Sequence, residues 1–76
     1  MNKQKSPGEG IIWREPDGTP VSCVDKILVL NDNLEVIRQE CQDALEDAIL
    51  MGCDEKQVRA VFDDIVKSVK NPFAKS

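Results

Sequence analysis

Apolar residues at positions 23, 27, 30, 34, 37, 41, 44, 48 and 51 alternate in steps of four and three. Cys23, Ile27, Leu30, Leu34, Ile37, Cys41, Ala44, Ala48 and Met51 therefore form one seam along a helix expected over 23–51. Such a seam must be buried against another helix, because apolar area left in water forgoes about 25 cal/mol per Å². Ser22 and Asp25 have the spacing of a helix-capping pair, and Gly52 supplies a left-handed stop. Asn31-Asp32-Asn33 is the weak point, since these residues favour caps and turns, and Asp32 with Glu35 is itself spaced as a cap. The seam keeps its phase across them, from Leu30 to Leu34, so one continuous helix is expected.

A second helix is expected over 54–70. Asp54 and Gln57 form its capping pair, with Cys53 and Val58 at the two staple positions. Val58, Val61, Phe62, Ile65, Val66 and Val69 give it a broad apolar face. Lys67 and Lys70 suit the negative end of its dipole, and Asn71-Pro72 ends it, leaving Phe73 to fold back onto the helices. The short Gly52-Cys53 connection implies an antiparallel αα-hairpin.

Ahead of the helices, residues 1–10 are polar, contain Pro and Gly and show no periodicity, so a disordered tail is expected there. Ile11-Ile12-Trp13-Arg14 is β-prone, Glu15-Pro16-Asp17-Gly18-Thr19 fits a reverse turn, and Pro20-Val21-Ser22 reads as a brief return strand. The expected fold is thus mainly α: a short β-hairpin over 11–22, a long helix, and a shorter antiparallel helix. It makes one domain over 11–73, with 74–76 as a tail. Trp13 is read as the aromatic that pins the β-hairpin to the helices, with a binding anchor as the alternative.

The two expected helices differ in length, about 42 Å against about 25 Å at 1.5 Å per residue. The second therefore covers the seam back only to Leu34 or Ile37. Cys23, Ile27, Leu28 and Leu30 are left over, and Val36, Leu45, Ile49 and Leu50 are further apolar residues away from the seam. A homodimer, two hairpins making a four-helix bundle, closes that surplus most simply, with Ala44 and Ala48 allowing close approach. The alternative is a monomer whose β-hairpin covers it.

Composition narrows the chemistry. The chain has 76 residues, a formal net charge of −4 and no His or Tyr, so the commonest general base and a favoured metal ligand are missing. Its acidity works against nucleic acid and anionic lipid as partners. No apolar run is long enough to span a bilayer, and no secretory signal is read at the N-terminus. A cytoplasmic chain with reduced thiols is the expectation. The three cysteines are 18 and 12 residues apart, which matches no paired-ligand spacing for a metal. Cys41 reads as a small buried seam residue. Cys53 precedes a helix whose positive end favours an anion, but Asp54 and Glu55 follow it directly. The oxygen-rich run from Asn31 has Val36 where a calcium loop needs Gly. Glu40, Asp43, Glu46, Asp47, Asp54 and Glu55 make an acidic run, read either as a solvated face partly compensated by Arg59 and Lys67 across the hairpin, or as a docking surface for a basic partner.

Residues 48–61, Ala48-Ile49-Leu50-Met51-Gly52-Cys53-Asp54-Glu55-Lys56-Gln57-Val58-Arg59-Ala60-Val61, resemble the helix-turn-helix of DNA-binding proteins, with Ala48 and Gly52 at the small and turn positions. That resemblance implies a groove-facing surface of Asp54, Glu55, Lys56, Arg59, Ala60 and Asp63, where three carboxylates meet two cations. Met51-Gly52 before a helix is also similar to ubiquitin-associated domains, but their third helix has no room here. The leading expectation is a non-enzymatic interaction or self-association module, with a small DNA-binding regulator as the alternative. Its candidate surface is Ile27, Leu28, Leu30, Val36, Leu45 and Ile49 with Glu40, Asp43 and Asp47. The expected partner is a second copy or another protein, with no cofactor, metal, membrane or small-molecule substrate implied.

Overall fold

The computed structural model describes residues 6–73. It contains two helices, α1 over Val24–Leu50 and α2 over Glu55–Ser68, which form a helical hairpin. The tail expected over 74–76 lies outside the described residues, as do residues 1–5 of the expected N-terminal tail. The chain divides into two compact units, Met1–Glu40 and Cys41–Ser76.

In the first unit, residues 6–10 carry turn hydrogen bonds: the Glu9 N–H donates to the Ser6 carbonyl at 3.0 Å and the Ile11 N–H to the Gly8 carbonyl at 3.2 Å. The reverse turn at 15–19 is present, but the β-hairpin expected over 11–22 is not. A single antiparallel bridge, Arg14 with Pro20, stands in its place. Competition for backbone groups explains the difference. The Glu15 carbonyl, which a ladder would offer to Thr19, accepts from the Gly18 N–H at 2.8 Å. The Thr19 N–H goes instead to the Asp17 carboxylate at 3.0 Å. Gly18, with φ +92°, adopts the left-handed backbone that lets three residues close the turn. One bond on each side of the bridge survives, Glu15 N–H to Thr19 carbonyl and Val21 N–H to Trp13 carbonyl, both 2.8 Å. Pro20 is tolerated because those bonds flank its own position and never call on its missing N–H.

Helix α1 runs unbroken through Asn31-Asp32-Asn33. It starts with the Ile27 N–H donating to the Cys23 carbonyl at 3.1 Å, which puts Cys23, not Ser22, at the cap position. The Asn31 side chain does not compete with the helix backbone, because its oxygen accepts the Trp13 indole N–H at 2.9 Å. Gly8 packs so closely here that a Cβ on it would collide with the Asn31 side chain.

In the second unit, α1 stops as expected at Gly52, φ +89°. The Cys53 N–H donates to the Ala48 carbonyl at 2.9 Å and the Gly52 N–H to the Ile49 carbonyl at 3.0 Å, a Schellman termination that satisfies two terminal carbonyls. The Asp54 carboxylate then caps α2 by accepting from the Gln57 N–H at 2.9 Å. Helix α2 ends at Ser68, two residues short of expectation. Val69 is already extended, at φ −67° and ψ 133°, and the Ser68 hydroxyl donates to the Ile65 carbonyl at 2.7 Å. Phe73 does not fold back: it is 90% exposed. Residues 72 and 73 lie in a turn, and the Phe73 N–H is taken locally by the Asn71 side chain at 2.8 Å.

Candidate interaction surface

Burial among the described residues separates the candidate residues into two sets. In the first unit Ile27, Leu30 and Leu34 of α1 are half-buried, together with Trp13, Val21 and Asn31. These α1 positions lie three and four apart, so the first half of the seam faces the covered side of its unit. Leu30 also lines, with Asp25, Lys26 and Val29, an open hollow of about 410 Å³. In the second unit Leu45 and Ala48 are half-buried, as are Val58 and Phe62 of α2.

The remaining candidates are open to solvent: Leu28 is 55% exposed, Val36 61% and Ile49 46%. Leu28 and Val36 belong to the first unit and Ile49 to the second. Glu40, Asp43 and Asp47 are exposed at spacings of three and four. The compensation expected from Arg59 across the hairpin takes another form. Arg59 pairs with Glu55, one turn back in its own helix, at 2.9 Å. Such an exposed pair contributes about 0.3–0.5 kcal/mol. Arg38 and Glu35 approach to 3.7 Å in the same way. All three cysteines are free and exposed, including Cys41, which was expected to be buried.

The surface that sequence reasoning passed over runs along α2 to its C-cap, Val69. Val61, Ile65 and Val69 follow one another at steps of four, with Val66 beside them, and all four are exposed. Their pattern was legible as an amphipathic face. It was assigned to the hairpin's own interior, however, and only Val58 and Phe62 of that face are half-covered in the second unit. Among the described residues no hydrophobic side chain is buried, and fifteen large ones are exposed.

Among the described residues no three His, Cys, Asp or Glu side chains gather where a metal ion could be held. No described helix is long and apolar enough to cross a membrane. The Asp17 carboxyl is held below the usual carboxylate value by hydrogen bonds from the Thr19 hydroxyl, at 2.7 Å, and the Thr19 N–H. It belongs to an exposed turn. No protein-family model, curated protein or solved structure matches this chain.

Proposed function

We infer that this chain is a non-enzymatic helical interaction module, acting through protein–protein contact on its exposed apolar helix faces. The observation that carries the reading is the burial pattern: two regular helices whose large apolar side chains are exposed or at most half-covered among the described residues. Scattered exposed apolar residues are ordinary. A helix face left open along several turns is a feature of interaction sites. Helices in folded proteins owe most of their stability to tertiary packing of an apolar face, so a face that is not covered internally is best covered by a partner. The reading places the module in a reducing, cytoplasmic compartment, where Cys23, Cys41 and Cys53 stay as exposed free thiols.

No observation favours the DNA-binding alternative. Arg59, one of the two cations it requires, is engaged by Glu55. The interaction reading is tested by capture from native lysate, using the tagged chain beside a Val61→Asp, Ile65→Asp double variant. A stoichiometric protein partner, either a second copy or another chain, is expected with the parent and lost with the variant. A cooperatively folded monomer that retains no protein would sink it.

A further inference from the structure

We propose that the partner presents a basic, amphipathic segment, which seats on the outer side of α1 at its C-terminal end, over Leu50 and beside Glu46 and Asp47. The proposal rests on the interaction reading above and adds to it the chemistry of the partner. Two observations within the second unit carry it.

The first is an electrostatic conflict at the end of α1. The negative end of a helix dipole favours cations, and α2 follows that rule with Lys67 in its last turn. Helix α1 has no basic residue in its last turn. Asp47 stands there instead, with Glu46 just before it, and both are exposed. Glu46 accepts from the Gln42 amide at 2.8 Å, a neutral donor that leaves its charge in place. Asp43 precedes Asp47 by four residues, a like-charge spacing that also works against the helix. No Lys or Arg occurs between Arg38 and Lys56. The cations of α2 do not make up the deficit. Arg59 is paired with Glu55. Lys56 and Lys67 lie by helical spacing away from Val58 and Phe62, whose half-burial marks the covered side of α2. Proteins break such local rules at functional sites, where stability is given up for contact.

The second is an apolar residue set inside that charge. Leu50 is 86% exposed, and Met51 beside it 81%. Leu50 follows Glu46 by four residues and Asp47 by three, so both carboxylates neighbour it on one side of the helix. That side is away from Leu45 and Ala48, whose half-burial marks the covered side of α1 in this unit. These neighbours define what can cover Leu50. A wholly apolar surface laid on it would strip water from Glu46 and Asp47 and put nothing in its place. Nucleic acid and anionic lipid bring charge of the wrong sign. A free cation answers the carboxylates but leaves Leu50 in water. Lys or Arg side chains next to an apolar one do both, laying their stems on Leu50 while their heads meet the carboxylates.

Titration of the full chain into a fluorescent, helical Lys–Leu peptide, with Leu at steps of three and four, tests the proposal. One peptide is expected to bind per chain, about tenfold more weakly at about 200 mM salt than at about 50 mM. The same peptide with Glu for every Lys is expected not to bind. Glu46→Gln with Asp47→Asn, and separately Leu50→Ser, are each expected to weaken binding about tenfold. Asp63→Asn with Asp64→Asn removes the same charge from α2 and is expected to leave binding within about twofold. A second readout stands beside these. Because it relieves the conflict, the Glu46, Asp47 variant is expected to melt a few degrees higher than the parent while binding less. Failure of the Lys–Leu peptide to bind overturns the proposal, as does binding that ignores salt or Leu50→Ser. Equal weakening by the two charge variants means attraction to net charge alone and overturns it too. A Glu46, Asp47 variant that melts no higher than the parent removes the conflict on which it rests. A native partner lost with the Val61→Asp, Ile65→Asp variant but held undiminished by the Glu46, Asp47 variant overturns this proposal and leaves the interaction reading standing. A folded chain that holds neither a native partner nor the peptide ends both.

Discussion

The indole N–H of Trp13 donates to the side-chain oxygen of Asn31, 2.9 Å away and 18 residues on. This bond ties the N-terminal segment to the middle of the first half of α1, and both residues are half-buried. Removing the donor while keeping an aromatic ring leaves the Asn31 oxygen without that partner. Trp13→Phe is therefore expected to destabilise the chain by about 1–2 kcal/mol. In a domain of this size that lowers the melting midpoint by about 4–8 °C per kcal/mol. Thermal unfolding at one fixed protein concentration checks it, and an unchanged midpoint would show that the bond contributes nothing.

Gly8 is the one buried residue among those described, and its lack of a side chain is what admits Asn31. Gly8→Ala is expected to cost about 1–3 kcal/mol, as forced overpacking does. The cost should shrink when Asn31 is also changed to Ala, because the colliding atoms are then gone. A double-mutant cycle should give a coupling of about 0.5–3 kcal/mol, whereas simple additivity would mean the two residues act apart.

The Asp17 carboxyl titrates below its ordinary value of 3.8, chiefly because it accepts the Thr19 hydroxyl and then the Thr19 N–H. A carboxylate lowered by folding stabilises the turn at pH above its unfolded value and loses that contribution as pH falls through the folded value. The 15–19 turn should hence be constant at neutral pH and loosen only below about pH 4. Chemical shifts of the Thr19 amide would report this, and Asp17→Asn should flatten the profile.

At the helical corner, Gly52→Ala forces a side chain into the left-handed region at φ +89° and is expected to cost about 1–2 kcal/mol. Asp54→Ala removes the α2 cap and should cost about 1 kcal/mol, whereas Asp54→Asn keeps an acceptor oxygen and most of the stability. Urea unfolding of the three variants separates backbone strain from lost capping. Equal losses for Asp54→Ala and Asp54→Asn would argue that charge, not hydrogen bonding, matters at the cap.

What the sequence disclosed was the local part. The continuity of α1, its end at Gly52 and the Asp54 cap depend on residues within one or two turns of each other, and spacing alone finds them. The β-hairpin failed because alternation and turn residues say where a chain reverses, not whether the flanking N–H groups stay available. Here Asp17 takes one of them. Asn31 looked like a helix breaker because its partner, Trp13, is remote in sequence. The open ridge on α2 went unnoticed for a related reason. A helical face announces that it must be covered but not by what, so Val61, Ile65 and Val69 were assigned to the interior of the hairpin.

Asn31 has a consequence for where the N-terminal segment sits along its helix. One turn earlier on the same side the segment would meet Ile27, and one turn later Glu35. Ile27 has no acceptor to offer an indole N–H, and Glu35 is drawn toward Arg38. An amide at position 31 thus works as an indexing notch. Apolar contact alone would let the segment slide by a turn at modest cost, and the single polar tooth makes one setting distinct from its neighbours.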